Sequence, residues 1–188
     1  TTLEDILTIN CRTEMLYGFA RMQDDTMRHE EMEDGDCTGL VVLPKRSATG
    51  RLIHAHNWDW RQECGDTCIV LRIRSKNGPD ILSFTEAGAL ARHGLNSNGV
   101  SLTGNAMSCH KDFQNGPGAP VVLLRRRLLE ATNLAHAMRA VYGAQRYCSS
   151  NMILAQSSAD DGCGISLAAA PDDVYPMLPH ADVLVHAN

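Results

Sequence analysis

Hydrophobic and polar positions change their period several times along the chain, and each change marks an element. Residues 3–19 open with Leu3, Ile6, Leu7 and Ile9, then Met15, Leu16 and Tyr17, an apolar-periodic stretch. From Arg21 to Asp36 the texture turns charged and ends in the turn formers Gly35 and Asp36. No continuous apolar face supports packing there, so this stretch reads as a solvated helix or loop.

From Cys37 the texture becomes β. Thr38–Leu43 is a short apolar run stopped by Pro44, and Arg51–Trp60 is a second strand candidate. In Cys68–Ser75, Ile69, Leu71 and Ile73 alternate with Val70, Arg72 and Arg74, the period-two signature of a half-buried strand. Asn77–Asp80 is a turn and Ile81–Thr85 a strand. The stretch Gly94–Met107 is punctuated by Gly and Asn, with a strand at Val100–Leu102. Helical spacing then appears twice. Val121, Leu124, Leu128 and Leu129 share one face over Val121–Thr132, and Leu134, Ala137, Met138 and Val141 do so over Asn133–Ala144. Strands at Asn151–Gln156, Gly164–Ala169 and Asp182–Val185 follow. Strands, then helices, then strands predict an α+β layered domain in place of alternating βαβ units.

Composition narrows the classes. At 188 residues, 44% hydrophobic and 21% charged, the chain is long and apolar enough to bury a core without metal or disulfide staples. No apolar run approaches the ~18 residues of a membrane span, so no membrane partner is expected. The net charge is −5, and Arg125-Arg126-Arg127, the lone basic cluster, reads as a solvated helix face, so nucleic acid is not an expected partner. Seven irregularly spaced cysteines argue for free thiols and a cytoplasmic setting.

Candidate chemistry begins with metal. His54 and His56 share one face of a strand, and Cys64 and Cys68 follow, but the His-x-His spacing departs from the usual zinc pattern. A zinc-binding structural module is therefore the non-enzyme alternative. No Gly-rich phosphate loop is present. Cys37 is more informative. It stands after Gly35-Asp36, where the charged segment meets the β-rich one. A thiol needs a nearby base and an oxyanion pocket to act as a nucleophile. A cut just before Cys37 would create that base as a new α-amine, whose unperturbed pKa of ~7.7–8.0 suits proton shuttling.

Ordered motifs carry a resemblance. They are Asn10-Cys-Arg-Thr-Glu-Met-Leu-Tyr-Gly18, Asp34-Gly-Asp-Cys-Thr38, Asn57-Trp-Asp-Trp60, Phe84-Thr-Glu-Ala-Gly88, Gly94-Leu-Asn-Ser-Asn-Gly-Val100, Asn105-Ala-Met107 and His186-Ala-Asn188. In their order and spacing the chain resembles the acyl-CoA:6-aminopenicillanic acid acyltransferase (isopenicillin N acyltransferase) family of N-terminal nucleophile hydrolases. Cys-Thr-Gly-Leu with the later Asn-x-Asp is also similar to the choloylglycine hydrolase and penicillin V acylase group.

The resemblance implies an αββα four-layer sandwich and a precursor that cuts itself between Asp36 and Cys37. Residues 1–36 would become a cleaved segment that stays associated, and residues 37–188 the nucleophile-bearing domain, which the family extends past the His-x-Asn motif. It assigns Cys37 as nucleophile, Asp59 as holder of the α-amine, Asn188 as oxyanion donor and Asn105 as a position adding a backbone donor. The implied activity is acyl transfer or amide hydrolysis on a small-molecule acyl substrate, with acyl-CoA among the candidate donors and no metal or organic cofactor required. Cleavage of N-acyl or β-alanyl amines is the alternative within the enzymes. Two departures stand out: Asp36 replaces the usual Gly before the nucleophile, and His56 replaces the Arg of bile-salt hydrolases.

Overall fold

A computed structural model of the chain describes residues 1–23, 37–159 and 161–188. Two helices open it, α1 (Leu3–Asn10) and α2 (Arg12–Gln23). Thr2 starts α1: its hydroxyl accepts from the Asp5 N–H while the Asp5 carboxylate accepts from the Thr2 N–H, so two otherwise unpaired donors are satisfied. The charged stretch thus begins inside α2. Its remainder, Asp36 included, lies outside the described residues.

The chain continues as β1 (Cys37–Val42), β2 (Ile53–Trp58), β3 (Cys68–Ile73), β4 (Ile81–Glu86), β5 (His93–Asn96) and β6 (Val100–Ala106). Then come α3 (Val121–Leu129), α4 (Leu134–Tyr142), β7 (Ser150–Ser157), β8 (Gly162–Ala169), β9 (Val174–Met177) and β10 (Val183–Ala187). The α+β expectation holds. Two strands escaped the sequence pattern. β5 is four residues long and contains Gly94 and Asn96, which read as turn formers. β9 contains Pro176, which a strand tolerates because β9 is an edge of its sheet.

The strands form two antiparallel sheets, one in the order β10-β1-β2 and one in the order β3-β4-β5-β6-β7-β8-β9. Strand β7 shows how they stack. Ser150 to Ala155 are all buried, because both faces of the strand are covered. Met152 and Leu154 join Leu102, Leu124, Leu128 and Val141 in the core between the larger sheet and α3 and α4. Ile153 and Ala155 face the other way and meet Val41 of β1 and Leu184 of β10 in a second core between the sheets. The sheets approach closely at Gly39, where a Cβ would run into the Ile153 side chain. That approach carries the first residue of β1 into the interior.

Candidate active site

Cys37 opens β1 and is buried, at 5% exposure. Antiparallel register sets it opposite Trp58, so Asp59 and Trp60 follow just past the end of β2 at the same edge. From the facing sheet, the last residues of β6 close in. Asn105 is wholly buried, and its Nδ2 donates to the Cys37 carbonyl at 2.8 Å and to the His186 carbonyl at 3.4 Å. The backbone N–H of Asn188 reaches the same Cys37 carbonyl at 3.3 Å, extending the β1–β10 ladder. The N–H groups of Ala106 and Asp59 point at the Cys37 sulfur. Burial pushes the Cys37 thiol up, with the Asp59 charge adding to it, while those N–H groups and the Arg125 charge pull the other way.

These residues line a cavity of about 100 Å³. Cys37, Asp59 and Asn105 are all in its wall, together with Trp58, Trp60, Arg92 and Arg125. Asn188 is not among the lining residues. It is exposed at the end of β10, and its main chain bonds Cys37. The structure thus brings together three of the four expected catalytic side chains and puts the backbone of the fourth beside them. The expected cleavage position Asp36 lies outside the described residues.

Helix α2 closes one side of the cavity with Arg12, Thr13, Leu16 and Tyr17. Three side chains of the Asn10-Cys-Arg-Thr-Glu motif fasten it there. Asn10 donates from Nδ2 to the Gly88 carbonyl at 2.9 Å and accepts from the Leu90 N–H at 2.9 Å. Arg12 forms a two-pronged pair with Glu86, at 2.8 and 3.3 Å. Glu14 accepts from the Val121 N–H at 2.8 Å, supplying from α2 the carboxylate that the N-terminus of α3 lacks locally. Glu86 also takes Arg92, whose Nε donates to it at 2.7 Å. Burial disfavours the Glu86 carboxylate, but hydrogen bonds and charge from Arg12 and Arg92 outweigh that and hold it below its usual range. Arg12 and Arg92 lie over the rings of Trp60 and Trp58, 5.5 and 5.4 Å from the centroids, and so brace both cavity walls.

Arg125 departs from the solvated helix face that the Arg125–Arg127 run predicts. It is 6% exposed and lines the cavity, whereas Arg127 is exposed and Arg126 donates to Glu130 at 2.8 Å. A usable signal existed: Arg125 stands four residues after Val121 and four before Leu129, inside the apolar stripe of α3. Glu14, Arg92 and Cys148 are further cavity or clamp residues that their local sequence did not announce.

The zinc alternative finds no support. His54 is committed to Ser101 Oγ at 2.7 Å and Thr103 Oγ1 at 2.9 Å across the two sheets, and burial pulls its imidazole down to about 4. Cys64 and Cys68 sit in and after a 3₁₀ turn at the start of β3, in the other sheet. Among the described residues, no group of three or more His, Cys, Asp or Glu side chains could hold a metal ion. All seven cysteines are free thiols.

The sequence pattern that defines the acyl-coenzyme A:6-aminopenicillanic acid acyl-transferase family matches residues 46–188. The chain belongs to this family. A curated relative, the 40 kDa form of acyl-coenzyme A:6-aminopenicillanic-acid-acyltransferase from Emericella nidulans, is 30% identical over 139 residues, covering 74% of this chain and 34% of the relative. The match thus spans about a third of that acyltransferase. The family match includes Asp59, Asn105 and Asn188 and begins after Cys37. The place of Cys37 therefore rests on geometry: it shares its cavity with Asp59 and Asn105. No helix among the described residues is long and apolar enough to cross a membrane.

Proposed function

We propose that the chain carries the nucleophile of a self-processing enzyme that transfers acyl groups through Cys37 on an αββα frame. Two facing sheets and the helical layer of α3 and α4 support the frame. The observation that carries the chemistry is the setting of Cys37: a buried thiol at a strand start, faced by two backbone N–H groups and walled by Asp59 and Asn105.

Activation begins when the Cys37 thiol attacks the Asp36 carbonyl. The acyl group shifts from nitrogen to sulfur, and water cleaves the thioester, leaving a carboxylate on Asp36 and an α-amine on Cys37. In turnover that amine takes the thiol proton, and the sulfur attacks the acyl carbonyl. Asn188 and a backbone N–H of the cavity stabilise the oxyanion, and Asp59 holds the protonated amine. The amine returns its proton to the departing thiol or amine as the acyl-enzyme thioester forms. An acceptor amine, or water, then attacks the thioester and frees Cys37.

The clamp formed by Asn10, Arg12 and Glu14 keeps α1 and α2 in place after the cut, so α2 becomes a wall of the substrate site. The cavity at Cys37 is small, about 100 Å³. A neighbouring groove of about 380 Å³ shares Arg12, Leu16, Tyr17 and Trp60 with it and accommodates the rest of a substrate.

The test is acid-quenched mass analysis of the full-length protein mixed with hexanoyl-CoA. A hydroxylamine-labile hexanoyl adduct on Cys37, absent from Cys37→Ala, is expected. Donor consumption at an undiminished rate by Cys37→Ala removes the thiol from the reaction.

A further inference from the structure

One basic side chain in the cavity has no partner among the described residues that accounts for its burial. Arg125 is 6% exposed, its Nη2 donates to Ser150 Oγ at 3.2 Å, and its Nε has no hydrogen-bond partner. Among the described residues no carboxylate is hydrogen-bonded to it. A guanidinium withdrawn from water is strongly destabilising unless an anion or a full set of acceptors faces it. The backbone is nevertheless shaped to receive this one: any Cβ at Gly104 would run into the guanidinium. The next residue, Asn105, holds the Cys37 carbonyl at 2.8 Å, and the N–H of Ala106 points at the Cys37 sulfur. Three consecutive residues of β6 therefore seat the guanidinium and the two ends of the nucleophile in turn.

We infer that Arg125 is the counter-ion of the Cys37 thiolate. The hydrogen-bonded anion that the buried guanidinium lacks is supplied when Cys37 ionises, and the charge pair persists until the sulfur attacks. The inference deepens the acyl-transfer reading and depends on it only for the use made of the thiolate.

Most other charged groups around the pair are engaged elsewhere: Asp112 accepts from the Ser149 N–H at 2.9 Å and from its hydroxyl at 2.6 Å, and Arg12 is paired with Glu86 at 2.8 Å. Glu14 of α2 accepts from the Val121 N–H at 2.8 Å through Oε1; its Oε2 has no hydrogen-bond partner, and its charge acts on Arg125 without a hydrogen bond between them. Arg92, between β4 and β5, is paired with Glu86 at 2.6 Å. The His56 and His93 rings lie 4.3 Å apart and tilted, and both are kept neutral, first by burial and then by the Arg125 charge; together with smaller charge effects these bring His93 down to about 2. Burial and Glu14 push the Cys148 thiol far up. Asp59, beyond β2, opposes ionisation of Cys37, so among the side chains the guanidinium is the charge that favours it. On α3 itself, Arg126 is paired with Glu130 and Arg127 is exposed.

The test is site-resolved alkylation of the full-length protein with iodoacetamide from pH 5 to 10, read by peptide mass and compared on species of equal processing. In Arg125→Met the Cys37 midpoint should rise by about one pH unit, an approximately tenfold slower alkylation at any pH well below it. The exposed thiol Cys163 should be unchanged. Arg125→Lys, which keeps a charge on a differently shaped head, should give an intermediate midpoint and carries the test alone if Arg125→Met does not fold. A Cys37 midpoint that either folded variant leaves unmoved overturns the inference. So does an unmoved midpoint with a raised KM, which would make the guanidinium a binder of substrate carboxylate. A moved midpoint without any acylation of Cys37 would keep the counter-ion and remove the acyl-transfer reading; acylation with an unmoved midpoint would do the reverse.

Discussion

Two buried arginines, Arg146 and Arg125, and the half-buried Arg92 show three ways of shielding a cation from water. Arg146 is spent on carbonyls: its Nε donates to Ala170 at 2.7 Å, its Nη1 to Val141 and Ala144 at 2.5 and 2.9 Å, and its Nη2 to Asp173 at 3.4 Å. It ties the end of α4 to the β8–β9 turn and has nothing left to offer a ligand. Arg92 is matched by the Glu86 carboxylate at 2.6 Å, a complete ion pair that also anchors α2 through Arg12. Arg125 has one hydroxyl and an unpartnered Nε. The first two arrangements are finished and serve stability. The third is incomplete in the resting protein, and it is the one that shares a cavity with the candidate nucleophile. Incomplete polar satisfaction, more than burial or charge, separates the reactive region from the scaffold.

Substitution should expose that difference. The largest stability effect belongs to Arg146→Met, which strands four carbonyl oxygens; about 3–5 kcal/mol should be lost, roughly 10 °C in Tm, with the Cys37 alkylation midpoint unchanged. Glu86→Gln should come next, at about 2 kcal/mol near neutral pH, because an amide still accepts hydrogen bonds but leaves Arg92 without its charge partner. Its pH dependence has a definite sign. The folded Glu86 carboxyl titrates below its usual range, so its contribution is complete above the unfolded value of ~4.3 and fades as pH falls through the lower folded value. Wild-type and Glu86→Gln melting temperatures should therefore converge on acidification below about pH 4.3; a gap that stays constant there would remove the charged pair from the account. The smallest stability effect belongs to Arg125→Met, within about 1 kcal/mol in either direction, since an apolar side chain of similar length relieves the desolvation of an incompletely paired cation. A loss there as large as that in Arg146→Met would make Arg125 an ordinary structural residue.

The sequence carried the layering well and the site unevenly. Helical spacing located α3 and α4 because each packs one face on the core, and period two located β3, whose Leu71 and Ile73 are half-buried. β7 was legible as an unbroken apolar run because it serves two cores. β5 was hidden by Gly94 and Asn96, whose roles are long-range: Asn96 donates from Nδ2 to the Leu129 and Ala131 carbonyls at 2.9 and 2.8 Å, closing the end of α3. The resemblance supplied Cys37, Asp59 and Asn105, which the fold gathers at one cavity. It could not supply Arg125, because neighbouring Arg126 and Arg127 made the cluster look like a surface, although the stripe of α3 included it. Nor could local sequence show that Glu14 caps a helix 107 residues away, since that bond exists only once α2 is docked.

The central claim is that Cys37 becomes a chain terminus by its own action. Intact-mass analysis of freshly purified full-length protein tests it most directly, with wild type, Cys37→Ala and Asp36→Gly compared side by side. Wild type should give two fragments, the larger beginning at Cys37, and Cys37→Ala a single chain. Cleavage that persists in Cys37→Ala, a wild type that turns over substrate while intact, or an intact wild type that Asp36→Gly fails to convert, would each contradict it.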